Sequence, residues 1–184
     1  MKLQPVDIQT LTPEIFSVFG QRNALLTAGA EGKVNPMTIG WCQLGRLWSI
    51  PVCTVYVRPE RYTYSLMEQG EYFTVSVFPE EAGNILRLCG TKSGRDVDKV
   101  AACGLTLRRG AGDAPFFDEA EWVLVCRKLY AQDLSESCVQ DGTHILHHYG
   151  AHILHHYGAH ILHHYGAQGW HRMYVGEVVE AYAG

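Results

Sequence analysis

Short segments rich in β-branched and aromatic residues dominate the sequence, and turns that contain glycine or proline separate them. They have the length and composition of β-strands, and they span residues 23–29, 34–41, 50–57, 72–78, 105–108, 121–132 and 171–182. Helical segments at 61–69 and 80–89 interrupt this series. Most connections have hairpin length, so the sequence predicts a mainly β fold, a closed or split β-barrel with peripheral helices.

Capping signals predict two further helical segments. Near the N-terminus, Thr12 is placed as the N-cap, a proline follows it, and Gly20 is placed to end the helix. Further along the chain, Ser93 or Asp96 is expected to cap a helix that runs to residue 103.

Length and composition restrict the class of protein. We expect the 184 residues to form one domain over 1–184. The net charge is −4 with Lys and Arg dispersed, which gives no electrostatic footprint for nucleic acid or an anionic membrane. The six cysteines form no Cys-x-x-Cys pair and indicate buried thiols in a reducing compartment. Without a signal-peptide pattern or a long apolar run, we expect a cytoplasmic protein.

An eight-residue unit that begins at His144 occurs three times without change, at 144–151, 152–159 and 160–167. Identity without drift indicates a very recent duplication, an artificial insertion or an artefact of the sequence record, with one unit native. The unit holds every histidine except His171, and such clusters can bind Zn²⁺ or Ni²⁺. However, a helical face would rotate by about 80° per unit, and the unit has no carboxylate or thiolate. We therefore predict an insertion with no physiological metal site.

Two segments together have the composition of a site for a flat, phosphorylated cofactor. Residues 35–41 combine an irregular backbone with a methionine and a tryptophan, which offer apolar surface to a ring system. Residues 93–99 place Arg95 and Lys99 around a turn suited to an anion. Taken singly, the first segment also fits ordinary turn and core residues, and the second fits a solvated helix start.

Five segments in the right order resemble the flavin reductase-like family of FMN-binding split-barrel proteins, namely 35–41, 51–63, 72–79, 93–99 and 169–178. The family includes NAD(P)H:flavin oxidoreductases and flavoredoxin-type electron carriers. The resemblance runs from about residue 12 to the C-terminus and is broken only by the extra histidine-rich units. It implies a homodimer of split β-barrels of Greek-key type, with one FMN per subunit near the interface.

The resemblance also implies which residues contact FMN. Segment 35–41 resembles the stretch that lines the flavin ring, 58–63 the turn that meets the phosphate, and 76–78 a strand end whose backbone meets the ring. The predicted cofactor contacts are Asn35, Met37, Thr38, Gly40, Trp41, Arg58, Arg61, Tyr62, Thr63, Ser76, Val77, Phe78, Thr91, Ser93, Gly94, Arg95 and Lys99.

Elementary chemistry supports the phosphate turn independently of the family, because Arg58 or Arg61 and the hydroxyl of Thr63 lie at the start of a predicted helix. We expect Arg95 and Lys99 to be exposed loop cations, either of which could favour the anionic reduced flavin. His171 matches a histidine that the family associates with the nicotinamide side, so it is the candidate catalytic residue.

Three functions remain open at this stage. The first is an oxidoreductase in which NAD(P)H delivers hydride to flavin N5 and the electrons pass to a second acceptor. The second is a non-enzymatic FMN-binding electron carrier that exchanges electrons with a partner protein. The third is a histidine-rich metal-binding protein on a barrel scaffold. The sequence contains no G-x-G-x-x-G fingerprint, so it does not separate the first two.

Overall fold

The computed structural model describes residues 2–11, 14–141 and 170–184. Its strands are β1 Gln4–Val6, β2 Ala24–Ala30, β3 Lys33–Ile39, β4 Cys42–Leu47, β5 Ile50–Val57, β6 Tyr72–Val77, β7 Leu107–Arg109, β8 Pro115–Phe117, β9 Trp122–Asp133 and β10 Arg172–Ala183. Its helices are α1 Ile15–Ser17, which continues into a π-helical turn at Val18–Arg22, α2 Tyr62–Gln69, α3 Gly83–Thr91 and α4 Lys99–Ala102. Short 3₁₀ turns lie at Ile8–Thr10, Glu80–Ala82, Ala111–Asp113 and Glu136–Cys138.

Eight of these strands form one antiparallel sheet in the order β3-β2-β6-β9-β10-β5-β4, with β1 added to β10. The remaining strands, β7 and β8, form a separate two-stranded sheet. One buried cluster is built from β2, β3, β5, β6, β9 and β10, so the large sheet curves around it as a barrel interior. A second cluster, which includes Phe116, Phe117 and Cys89, fills the space between the outer face of the sheet and the elements that cover it.

Strand β10 pairs with one strand along one edge and with two strands along the other. Along one side it pairs with β9 over its whole length. Along the other side, its first half pairs with β5 and its last residues pair with β1. Register shifts occur at Val175/Gly176 and Val178/Glu180, which bend the strand between the two pairings. A Cβ atom at Gly176 would lie 2.7 Å from Phe73 Cε1, so this bend has room only for glycine.

Most of the predicted strands and helix α2 are confirmed within one or two residues, and the mainly β class is confirmed with them. The helix predicted at 80–89 is also present, but its first turn, Glu80–Ala82, is 3₁₀ and α3 begins at Gly83. The short strands β1, β4 and β8 were not predicted. The prediction that Gly20 ends the first helix is wrong, because Gly20 lies inside the π-helical turn, which ends before Asn23 at φ 65°. Thr12 and the proline after it lie outside the described residues. The cap of α4 is Asp98, not Ser93 or Asp96, because Asp98 accepts a hydrogen bond from the amide of Ala101 at 3.1 Å.

All six cysteines are free. Cys53, Cys89 and Cys126 are buried as expected, whereas Cys138 is exposed, contrary to the expectation of buried thiols. The sulfur atoms of Cys42 and Cys53 lie 3.5 Å apart on neighbouring strands. The two residues are diagonal in the ladder, since Cys42 is opposite Val55, and diagonal positions are too distant for a disulfide without backbone movement.

Two further findings hold for the described parts of the chain. Within them, no helix is long and apolar enough to cross a membrane. No three His, Cys, Asp or Glu side chains in the same ranges lie where they could hold a metal ion. The repeat at 144–167, which we predicted to be an insertion, lies outside the described residues.

Deleting residues 152–167 should change the free energy of unfolding by only about 0.5 kcal/mol, because each doubling of a loop costs roughly 0.6 kcal/mol in closure entropy. The strands on either side are held independently, since Asp133 of β9 is paired with Arg172 of β10. Urea denaturation of the parent and the shortened chain measures the difference. A loss of several kcal/mol would show that the repeat packs against the barrel.

Candidate functional site

A pocket of about 240 Å³ lies where the edge strand β3 meets the start of α2 and the end of α3. Its walls come from β3, from the turn that leads into α2, and from the loop between α3 and α4. The lining residues are Asn35, Met37, Glu60, Arg61, Tyr62, Thr63, Thr91, Lys92, Ser93, Gly94, Arg95 and Lys99. The pocket therefore brings the two sequence segments at 35–41 and 93–99 together.

Asn35 forms the polar centre of this pocket. Its Nδ2 donates a hydrogen bond to Thr63 Oγ1 at 2.7 Å, and both side chains are buried. Gly94 packs directly against the other side of the amide, because a Cβ atom there would lie 1.9 Å from Asn35 Oδ1. The same Cβ would lie 2.7 Å from Cδ1 of Tyr62. One asparagine thus joins β3, the start of α2 and the loop after α3.

Two cations meet the last carbonyl groups of α3, which have no partner within the helix. Arg61 Nη2 donates to the carbonyl oxygen of Gly90 at 3.1 Å. Lys99 Nζ donates to the carbonyl oxygen of Cys89 at 2.9 Å and to that of Pro36 in β3 at 3.0 Å. The prediction that Lys99 is an exposed loop cation is wrong, because its side chain is bonded to two elements and only 4% exposed.

Arg95 is an exposed cation that lines the pocket, as predicted. Its guanidinium carbon lies 5.3 Å from the centre of the Tyr62 ring, within the range of a cation–π interaction. Its Nη1 donates to the carbonyl oxygen of Glu60 at 3.2 Å, and its backbone amide donates to Ser93 Oγ at 3.2 Å. Arg95 is therefore held over the turn that begins α2.

A second group of predicted residues gathers beside the pocket, where Trp41 and His171 stack. Their ring centres are 4.4 Å apart at an interplanar angle of 34°. Tyr56 meets the other side of Trp41 edge-on, with ring centres 6.2 Å apart. Burial, reinforced by the nearby cations Arg58 and Arg61, lowers the pKa of His171 to about 4. The imidazole is consequently neutral at pH 7.

Three other predicted contacts adjoin the site without lining the pocket. Arg58 pairs with the carboxylate of Glu60, Nε to Oε1 at 2.5 Å, so the structure brings Arg61 rather than Arg58 into the pocket. Thr38 donates from its hydroxyl to the carbonyl oxygen of Leu86 at 2.5 Å. Gly40 allows the close approach of Asn23, whose Oδ1 would lie 2.8 Å from a Cβ atom at that position.

The last predicted contacts lie in or just after the central strand β6, and the structure does not place them in the pocket. Ser76, Val77 and Phe78 are all buried. Their backbone is engaged elsewhere, since the carbonyl oxygen of Val77 accepts from the amide of Glu121 at 2.7 Å and that of Phe78 accepts from Arg22. Their role as flavin contacts stays a prediction.

Sequence reasoning missed two of the lining residues, Glu60 and Lys92. Glu60 lies within a segment that was already singled out, the turn before α2, whereas Lys92 lies directly after α3, between the predicted contacts Thr91 and Ser93. Including every basic residue in the turns that hold the predicted contacts would have found Lys92, because it lies beside the same site as Arg61 and Arg95. Glu60 carries no such signal, since its contribution is a carboxylate that pairs with Arg58.

A family model for the "Flavin reductase like domain" matches residues 16–184. The chain belongs to the flavin reductase-like family. The recognition made from the five sequence segments is thereby confirmed, and the split-barrel class is confirmed with it. A search of curated proteins found no match.

Solved structures of the same fold carry related descriptions. Flavoredoxin from Methanosarcina acetivorans superposes with a TM-score of 0.65 at 21% identity, covering 88% of this chain and 68% of that one. The FMN-binding domain of a flavin reductases-like enzyme from Shewanella baltica gives 0.64 at 20% identity, with 98% and 76% covered. The NADH:FAD oxidoreductase from Streptomyces globisporus, in complex with NAD and FAD fragments, gives 0.59 at 16%, with 88% and 74% covered.

Replacing Gly94 by alanine should lower the free energy of unfolding by roughly 1–3 kcal/mol, because the new methyl group would overlap Asn35 and Tyr62. Gly83 supplies the matched control, since a Cβ atom at this helical position would have nothing within 4 Å. Gly83→Ala should be neutral or slightly stabilising. Urea denaturation of both variants checks this expectation, and equal stabilities would contradict the close packing of Asn35 on Gly94.

Because the pKa of His171 is lowered in the folded chain, the free energy of unfolding should depend on pH. The unfolded chain takes up a proton at this residue near pH 6.5, whereas the folded chain does so only near pH 4. The stability contributed by the neutral imidazole is therefore complete above pH 6.5 and is lost as the pH falls towards 4, by up to about 3 kcal/mol. Urea denaturation at pH 7 and pH 4.5 should show a smaller pH effect in His171→Gln than in the parent.

Proposed function

We propose that the chain is an FMN-binding oxidoreductase that accepts hydride from NAD(P)H and passes the electrons to a second acceptor. The observation that carries the proposal is the pocket at the β3 edge, where four cations, one of them the buried Lys99, and a buried hydroxyl converge in a member of the flavin reductase-like family. When bound, FMN supplies hydride acceptance and electron transfer. The protein supplies binding, orientation and electrostatics.

The donor set of the pocket fits the phosphate end of FMN. Arg61, Lys92 and Arg95 provide fixed positive charge, and Thr63 provides a hydroxyl whose oxygen already accepts from Asn35. The first residues of α2 line the same wall, and the positive end of a helix favours an anion. Each charge-assisted hydrogen bond to a phosphate contributes roughly 1.5–3 kcal/mol, so two such bonds give strong discrimination for a phosphorylated flavin.

The stacked pair of Trp41 and His171 fits a role at the ring end of the ligand. Trp41 is 41% exposed although it is a large aromatic residue, so its ring offers apolar surface beside the pocket. The neutral His171 adds no charge there and can donate or accept one hydrogen bond. We propose that this pair lies on the nicotinamide side and that His171 orients the incoming hydride donor.

A second candidate function is a flavin-dependent electron carrier that does not bind nicotinamide. The similarity in fold to a flavoredoxin favours it. It uses the same phosphate pocket and differs only at the face formed by Trp41 and His171, where an electron-transfer partner would replace the nicotinamide.

Isothermal titration of the protein with FMN and with riboflavin tests the phosphate assignment. We expect FMN to bind at least about tenfold more tightly, because riboflavin leaves the cations unpaired. Arg95→Met should reduce the ratio of the two affinities, whereas Arg87→Met, at an exposed position on α3 outside the pocket, should not. Equal affinities for the two flavins in the parent would overturn the assignment.

Anaerobic stopped-flow mixing of the FMN-loaded protein with NADH and with NADPH separates the two functions. We expect the flavin absorbance to bleach at a rate that saturates with one of the nicotinamides, and His171→Phe to slow that step without changing FMN affinity. Bound flavin that dithionite reduces and neither nicotinamide reduces would identify the electron carrier instead.

A further inference from the structure

Lys99 has an unusual position for a lysine on the surface of a pocket. Only 4% of the residue is exposed, and its ammonium donates to two backbone carbonyl groups that are far apart in the sequence. One acceptor, Cys89, lies in the last turn of α3, and the other, Pro36, lies in the edge strand β3. The lysine itself is the first residue of α4. A single charged group therefore connects three elements.

Neither carbonyl group has a backbone amide as its donor within its own helix or sheet. Carbonyl groups in the last turn of a helix have no amide to bond within the helix, and a cation there also interacts favourably with the helix dipole. Strand β3 ends the sheet, so its outward carbonyl groups face no further strand. Pro36 has no amide hydrogen, and its carbonyl is free to point away from β2. The ammonium of Lys99 satisfies both groups at once.

Burying the charged ammonium of Lys99 costs free energy, which other interactions must offset. Desolvation lowers the pKa of Lys99, and the charge of Arg61 acts in the same direction. The thiols of Cys89 and Cys103 are the other titratable groups that face the ammonium, and burial raises the pKa of Cys89 to about 12. Among the described residues, no carboxylate acts on Lys99, so backbone carbonyls are what compensate its burial.

The residues on either side of Pro36 are the ones that form the floor of the pocket. Asn35 holds Thr63 and contacts Gly94, and Met37 lines the pocket from below. A displacement of Pro36 would shift both of them, because they are its direct neighbours in the strand. The position of the floor relative to the end of α3 is thus set through the two hydrogen bonds of Lys99.

We infer that Lys99 is a positioning residue, which fixes β3 against the end of α3 and so shapes the flavin pocket, and that it is not a phosphate ligand. The identity of the ligand rests on the proposed function, whereas the link between β3 and α3 does not. The two parts can therefore be tested separately.

Hydrogen exchange of the flavin-free protein tests the link. Lys99→Met keeps the length of the side chain and removes its donors, so exchange should become at least about tenfold faster at the end of α3 and in β3, and remain unchanged in β9. Lys92→Met is the matched control, because it removes an exposed lysine from the same pocket and leaves the carbonyls of Cys89 and Pro36 bonded. Unchanged exchange at both segments in Lys99→Met would overturn the inference.

Affinities for FMN and riboflavin test the role. A residue that shapes the pocket affects both flavins alike, so Lys99→Met should weaken both by the same factor, about tenfold or more, and should shift the visible spectrum of the bound flavin. Lys92→Met should weaken FMN alone. A loss of FMN affinity with riboflavin affinity intact in Lys99→Met would identify a phosphate ligand and overturn the inference.

Two further results have to be separated from a failure of the inference, namely a parent that binds no flavin and a variant that does not fold. If the parent binds neither flavin, the proposed function fails, and hydrogen exchange alone decides the role of Lys99. If Lys99→Met does not fold, Lys99→Arg replaces it, since its longer, donor-bearing side chain keeps the charge and displaces Pro36. The equal-loss criterion for the two flavins then applies to Lys99→Arg unchanged.

Discussion

The pairing of β10 with three other strands is the constraint on which the remainder of the fold depends. One edge of the strand is bonded to β9 throughout, and the other edge is shared by β5 and β1. The two partners on that edge pair with different parts of β10, β5 with Arg172–Glu177 and β1 with Ala181–Ala183, and the register shift at Val178/Glu180 lies between them. The bulge near Val178 lets Val178 and Ala181 face the same core although they are three residues apart.

The pocket lies at an edge of the same sheet, on strand β3. Edge strands expose unpaired carbonyl and amide groups, which proteins usually protect with charge or cover with other elements. Here the edge of β3 is covered by helix ends and a loop, and the side chain of Lys99 bonds the carbonyl group of Pro36. The polar groups that protect the edge are also the groups that line the cavity, so protecting the sheet and building a binding site are the same structural task in this protein.

The sequence was informative where a residue acts through its local neighbours. Strand β5 and helix α2 follow directly from their composition and from the residues that bound them, and ten of the predicted contacts meet in one pocket. Strand β4 was missed because its residues alternate poorly and most of them are exposed, which removes the pattern on which strand prediction relies.

The sequence was uninformative where a residue acts through distant parts of the chain. Lys99 looks like a charge at an exposed helix start, and it is buried only because Pro36 and the end of α3 present their carbonyl groups to it. Nothing near His171 in the sequence indicates that Arg58 and Arg61 will lower its pKa. Ser76 and Val77 lie at the end of a strand, as expected, but that strand is central in the sheet and both residues are buried outside the pocket.

The connection between β9 and β10 has its two ends at one place, since the amide of Leu134 donates to the carbonyl oxygen of His171 at 2.9 Å. That place is directly beside the stacked rings of Trp41 and His171. A domain fused into this connection would be attached through both of its ends, next to the proposed electron-transfer face. The chain thus provides an insertion point at which a redox module can be tethered close to the proposed flavin site, with its position fixed by the ends of β9 and β10.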